Sequence, residues 1–189
     1  MLDSNFDLSK TQSEQSVSAG KYIVYDYSAP ASFGVLKGKL EYRFTTFEQL
    51  SQTGTLVQSV NGLLKDVFSV EIEQITPAGK YIYKGSTETH SKAYLYANIL
   101  YDYIQKKADE DKVTVTFGDK SEQTIDTHLG KRHVTVQEIT IESDDSIDYE
   151  TVYYGDKGLI YYREIKLVST EDNMEMSGTL KYMDSSLVS

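Results

Sequence analysis

The chain predicts an α+β fold that is mainly antiparallel β: a strongly curved, half-barrel-like sheet with one main amphipathic helix packed on it. Three observations carry this. Apolar residues recur at a spacing of two in four separate stretches. Leu36, Leu40, Tyr42 and Phe44 alternate with Lys37, Lys39, Glu41 and Arg43, and Phe68, Val70 and Ile72 alternate with Ser69, Glu71 and Glu73. Val113, Val115 and Phe117 repeat the pattern, as do Leu159, Tyr161, Ile165 and Leu167. Strict alternation gives a strand one dry and one wet face, which is how antiparallel sheets covered on a single side are written. Second, one stretch, 89–109, switches to a helical period. Third, short Gly-, Asp- and Asn-containing segments separate the later strands, as in a meander.

Taken in order, residues 1–20 are expected to form a disordered tether. The run SNFDLSKTQSEQSVSA at 4–19 has few large apolar groups to offset the entropy of ordering it. Residues 21–185 are then one β-rich domain, within the usual size of one. The first strand is 21–28 (KYIVYDYS), by its β-branched and aromatic content. Pro30 and Gly34 punctuate a loop into a long strand at 35–47. Residues 48–66 read two ways. Leu56, Val60, Leu63, Leu64 and Val67 fit a helical stripe, whereas Asn61-Gly62 is a strong hairpin signal. The hairpin is preferred, since glycine inside a helix costs about 1 kcal/mol relative to alanine. A strand at 67–76 leads through Pro77-Ala78-Gly79 into another at 80–84.

The helix is expected at 91–108. Leu95, Tyr96, Ile99, Leu100, Tyr103 and Ile104 share one face, opposite Asn98, Asp102, Gln105, Lys106 and Asp109. Ser91 suits the N-cap, and Lys106-Lys107 sit where the helix dipole favours cations. Strands follow at 113–117, 122–129, 132–141, 150–154, 159–168 and 174–182. The connections are Gly118-Asp119-Lys120, Gly130-Lys131, an acidic loop, Gly155-Asp156-Lys157-Gly158 and 170–173. Val134 and Val136 lie on one parity and Ile139 and Ile141 on the other, so a bulge is expected near Gln137-Glu138.

Composition removes several classes of function. The formal net charge of −10 repels phosphate backbones and argues against a nucleic-acid partner. With no cysteine there is neither a disulfide nor a thiolate ligand or nucleophile, which suits the cytosol and an unbridged exported protein equally. No apolar run reaches the roughly 20 residues that span a bilayer, and residues 1–20 lack the form of a signal peptide. A tether ahead of a β domain nonetheless fits an export signal or lipid anchor preceding Met1. The expectation is therefore extracytoplasmic or cell-surface placement, with peripheral membrane association through such an anchor.

The run Thr127-His128-Leu129-Gly130-Lys131-Arg132-His133-Val134-Thr135-Val136, followed by Tyr153-Tyr154-Gly155-Asp156-Lys157-Gly158-Leu159-Ile160, resembles the closing strands of the LolA/LppX lipoprotein carriers. The resemblance implies a curved antiparallel sheet with a helix or two closing its concave side around an apolar ligand. It brings no catalytic motif. The chain departs from that group in having no lipid-anchored cysteine and no arginine at a recognisable functional position.

Three constellations could carry chemistry, and one further motif matches by chance. If Gly130-Lys131 is a two-residue type II′ turn, Leu129 opposes Arg132 and His128 opposes His133, with Asp126 on the same face. Two imidazoles and a carboxylate make a divalent-metal site. The other reading is a solvated hairpin tip. In the acidic loop Asp144, Ser146 and Asp148 alternate like calcium ligands, but Tyr149 stands where such a loop needs glycine, which favours a solvated connection. Sixteen tyrosines and no tryptophan are the third feature. Tyr25, Tyr27, Tyr81 and Tyr83 lie on strands, and Tyr94 and Tyr101 on the helix. Tyr42, Phe44, Tyr96, Leu100, Tyr103 and Tyr161 could line a groove between helix and sheet that takes a lipid, or could pack as core. Lastly, Ser18-Ala19-Gly20-Lys21 matches Ser-x-x-Lys without the companion motifs, and no phosphate loop, nucleophile elbow or His-Glu-x-x-His helix is present.

These readings converge on a non-catalytic, cofactor-free binding or carrier domain for an apolar small molecule or lipid. Two alternatives stay open. One is a structural or interaction module of the cell surface whose strand edges pair with a protein partner. The other is a metal-dependent hydrolase built on Asp126, His128 and His133.

Overall fold

A computed structural model describes residues 21–31, 34–47, 51–76, 80–84, 95–128 and 130–185. The tether at 1–20, Ser91, Tyr94, Leu129 and the Pro77-Ala78-Gly79 turn lie outside the described residues. The elements are β1 (Tyr22–Ala31), β2 (Gly34–Phe47), β3 (Ser51–Val60), β4 (Leu63–Thr76), β5 (Lys80–Tyr83), α1 (Ala97–Asp111), β6 (Thr114–Thr127), β7 (Gly130–Glu142), β8 (Ser146–Tyr154), β9 (Ile160–Ser169) and β10 (Glu175–Ser185). All ten strands form one curved, unclosed antiparallel sheet in the order β5-β4-β3-β2-β1-β10-β9-β8-β7-β6. It is two meanders of five strands joined where β1 pairs with β10. The connection between the two outer strands is α1, which touches both β5 and β6. The helix therefore packs on the curved sheet, as the sequence predicts.

Period-two burial follows from this cover. Ile23, Tyr25, Tyr42, Phe44, Leu56 and Ile72 are fully buried and cluster with Ile99 and Leu100 of the helix. The buried Tyr25 hydroxyl is satisfied across the sheet, donating to the Ile160 carbonyl at 2.7 Å. A side chain at Gly54 would run into the backbone of Arg43, so glycine is what lets β2 and β3 approach there.

The hairpin reading of 48–66 holds. Asn61 and Gly62 take positive φ of 50° and 77°, as a two-residue primed turn requires. β4 starts at Leu63, four residues before the expected strand, which leaves Leu63 74% exposed beyond the covered region.

The helix begins later than its periodicity suggests, at Ala97 in place of 91, and ends at Asp111. Leu95 and Tyr96 fit the apolar stripe but are not helical. Tyr96 has extended angles of −121° and 136° and pairs with Leu159, and the Ile160 N–H donates to the Leu95 carbonyl at 3.0 Å. Backbone pairing to the start of β9 outweighs one more helical turn. Asn98 then protects the short edge strand. Its amide donates to the Tyr81 carbonyl at 2.6 Å and its oxygen accepts from the Tyr81 N–H at 3.3 Å, so one side chain imitates a neighbouring strand. At the other end Lys112 is left-handed at φ 56°, and the Val113 N–H closes on the Ala108 carbonyl.

Two corrections concern the second meander. Gly118-Asp119-Lys120 is not a turn. β6 runs through it with a bulge, because Phe117 faces Ile139 while Lys120 faces Gln137, three steps against two. The expected bulge near Gln137-Glu138 thus sits at that level of the ladder, but on the partner strand. β7 keeps unbroken register with β8, and its parity change is genuine double-sided burial: Val136 and Gln137, on opposite faces, are both buried. The Gln137 amide donates to the Gly118 carbonyl exposed by the bulge. The second correction is the acidic loop, which shrinks to 143–145. The Ser146 N–H donates to Ser143 Oγ at 3.1 Å, and β8 already begins at Ser146.

Candidate functional site

Because β8 starts early, Asp148 and Glu150 are strand residues. Together with Val152 they occupy alternate positions on β8. β9 answers with Leu167 opposite Asp148, Ile165 opposite Glu150 and Arg163 opposite Val152. All of these positions lie on one side of the sheet. The C-terminal half of α1 lies over that side and leaves a groove of about 350 Å³. Tyr103, Ile104 and Ala108 form its helical wall, Ile141 and Leu167 its sheet wall, and Asp148, Glu150 and Arg163 its floor.

Arg163 grips Glu150 bidentately, Nε to Oε2 at 2.8 Å and Nη2 to Oε1 at 2.6 Å. Only 7% and 4% of the two residues remain exposed, so this is a desolvated ion pair whose two halves compensate each other. Asp148 is less well provided for. Its Oδ1 is buried without a hydrogen-bond partner among the described residues. Burial first, and then the charge of Glu150, push its carboxyl up to about 6 against the pull of Arg163. Above the pair, Tyr101 packs edge-on against Tyr154 with ring centres 6.3 Å apart. Burial, then Tyr154, holds its phenol well above the ordinary tyrosine range.

This arrangement has a pH signature. The Asp148 carboxyl titrates near 3.8 unfolded and about 6 folded, so the folded state opposes its ionisation. The stability it contributes is whole below about 4 and declines as pH rises through about 6. Asp148→Asn is therefore expected to stabilise the protein at about pH 8 by about 1 kcal/mol, a value discounted for the solvent reaching the groove, and to be neutral at about pH 4. Calorimetric melting at both pH values decides it; an equal shift at both would remove ionisation as the cause.

The residues expected to line an interior groove are gathered in one buried cluster. Tyr42, Phe44, Tyr96, Leu100 and Tyr161 are buried, and Tyr103 is half-buried. Tyr96 stacks on Tyr81 at 3.6 Å and donates to Gln52 Oε1 at 3.0 Å, which ties the start of the helix to β3 and β5. Of the six, Tyr103 lines the groove described above. Tyr161 borders a second cleft of about 410 Å³, shared with Ile125, Tyr153, Tyr162 and Lys181.

The histidines are not brought together. The β6–β7 ladder runs up to Thr127 facing Gly130, which has φ 93°, so Asp126 faces Lys131 and Gly130-Lys131 is not the turn. His133 consequently opposes Thr124, and its Nε2 lies 3.2 Å from Glu122 Oε2, both exposed. His128 sits in the turn itself. The two-residue slip relative to a Gly130-Lys131 turn separates the imidazoles. No three histidine, aspartate or glutamate side chains are placed to share a metal ion among the described residues.

Periodicity pointed to neither Arg163 nor its partners, although one signal was present. The apolar parity Leu159, Tyr161, Ile165, Leu167 skips one position, and that position is Arg163. An arginine on the dry parity needs a buried acid. Asp148 falls in the expected acidic loop and Glu150 at the first position of the expected strand 150–154, so acidic composition masks their alternation.

No family model matches the chain, the LolA/LppX carriers included, and no curated protein matches it. Among solved structures the chain is similar to a protein from Bacteroides fragilis, inferred to be exported and described as having a YmcC-like fold. That similarity has a TM-score of 0.46 at 10% identity, over 87% of this chain and 96% of the other.

Proposed function

We propose that this chain is a non-catalytic, extracytoplasmic binding domain that holds a lipid-like small molecule between α1 and strands β7–β9. The observation that carries the reading is the make-up of the 350 Å³ groove: an aliphatic strip of Ile104, Ala108, Ile141 and Leu167 beside the converging polar groups of Asp148, Glu150 and Arg163. Binding is favoured over catalysis because Arg163 and Glu150 are engaged with each other. The extracytoplasmic part rests on the tether-like composition of residues 4–19.

The test is uptake of an uncharged fluorescent acyl-chain probe by the wild type and by Val113→Trp, which adds a ring at a residue that lines the groove. The expected result is saturable binding that weakens at least about tenfold in the variant, with its melting temperature kept. Equal binding by both proteins would place the ligand elsewhere. No binding by the wild type would favour a second reading, an interaction module acting through β6. That strand is fourteen residues long and ends the sheet order, but its bulge and its charges Asp119, Lys120 and Glu122 blunt the edge.

A further inference from the structure

We propose that the ligand of this groove is an amphiphile with a protonated amine head, held by the Asp148 carboxylate while its chain lies along Ile104, Ala108, Ile141 and Leu167. The inference rests on the groove being a binding site, and it deepens that reading by naming the head group.

Three observations on the site lead to it. Asp148 lines the groove, and one of its oxygens is buried with no hydrogen-bond partner among the described residues. A buried acceptor left unmade costs free energy that an incoming donor recovers. Rotation of the carboxyl about its Cβ–Cγ bond brings either oxygen to the ligand. Second, the charges bordering the groove do not balance. Arg163 on β9 and Lys107 on α1 face Glu150 and Asp148 on β8 and Asp111 on α1, two cations against three carboxylates. β7 contributes the apolar Ile141, the neighbouring turn Ser143 and Ser146, and α1 the ring of Tyr103, while Lys107 is itself paired with Glu110 at 3.0 Å. With Arg163 committed to Glu150, the uncompensated charge on the floor is that of Asp148. A fatty-acid carboxylate would meet that charge as a like charge, whereas an ammonium would pair with it in a partly desolvated site. Third, Ile104, Ala108, Ile141 and Leu167 form an aliphatic strip along which a chain lies, while Lys107, Asp111, Ser143 and Ser146 make the rest of the lining polar.

An ammonium stabilises the ionised form of Asp148, so affinity should rise with pH through the range where this carboxyl loses its proton. The experiment is isothermal titration of decylamine, decanol and decanoate below their micellar concentrations, at about pH 5 and about pH 8. Decylamine should bind the wild type at about pH 8 at least about tenfold more tightly than decanol, and decanoate most weakly. That preference should shrink at about pH 5 and vanish in Asp148→Asn. It should persist in Asp144→Asn, which removes an exposed carboxylate from the neighbouring turn and changes the net charge equally. Persistence in Asp148→Asn would assign the preference to the overall charge of −10 and overturn the inference. Equal binding of all three ligands, weakened by Val113→Trp, would also overturn it while leaving the groove as the site. Binding of none of them would overturn both.

Discussion

Ile99→Asp is expected to abolish the cooperative unfolding transition, leaving a chain with no defined melting temperature. Ile99 is 2% exposed, on the face of α1 that packs with Leu100, Ile104 and the apolar side of the sheet. Truncating such a residue costs about 2–5 kcal/mol through lost transfer energy and an unfilled cavity. Placing a carboxylate there adds several kcal/mol, since no cation of the cluster is available to pair with it. The sum matches the roughly 5–15 kcal/mol by which a domain of this size is stable. Asp102→Ala, on the exposed face of the same helix, should change stability by no more than about 0.5 kcal/mol. Circular dichroism melts of both variants test the claim. A folded Ile99→Asp melting within a few degrees of the wild type would mean that α1 does not hold the sheet in its curve.

Arg163→Met is expected to destabilise the protein by about 3–5 kcal/mol, because it leaves the Glu150 carboxylate buried without its cation. Most of that loss belongs to the orphaned charge and not to the guanidinium. Arg163→Met combined with Glu150→Met should therefore recover the greater part of it, as apolar replacements of buried ion pairs commonly do. Urea denaturation of the two single variants and the double variant makes a complete cycle. A double variant as unstable as Arg163→Met alone would show that packing, and not charge, is what the pair supplies.

The strands were legible because their information is local. Alternation at 36–44 and 68–72, the Asn61-Gly62 dipeptide and the helical stripe from Ile99 to Ile104 are each written within about ten residues of chain. Each reports a backbone geometry that solvent and sterics impose on its own segment. What failed was whatever depended on a partner. Leu95 and Tyr96 obey helical spacing, yet the backbone at Leu159 and Ile160 claims them for pairing. His128 and His133 face each other under one turn geometry and part under another, since a slip in register changes every opposition along the hairpin.

By itself, then, the sequence determined the class of fold, one covered face on a long antiparallel meander and one helix to cover it, because burial periodicity depends on side-chain chemistry read in order. Only the tertiary structure decided which strand lies beside which, where the bulge falls and where the helix begins. It also decided that Asp148, Glu150 and Arg163 meet on the dry side. Alternation shows which face of a strand avoids water but carries no term for the residue on the next strand. A buried ion pair 13 positions apart in the chain exists only once β8 and β9 are in register.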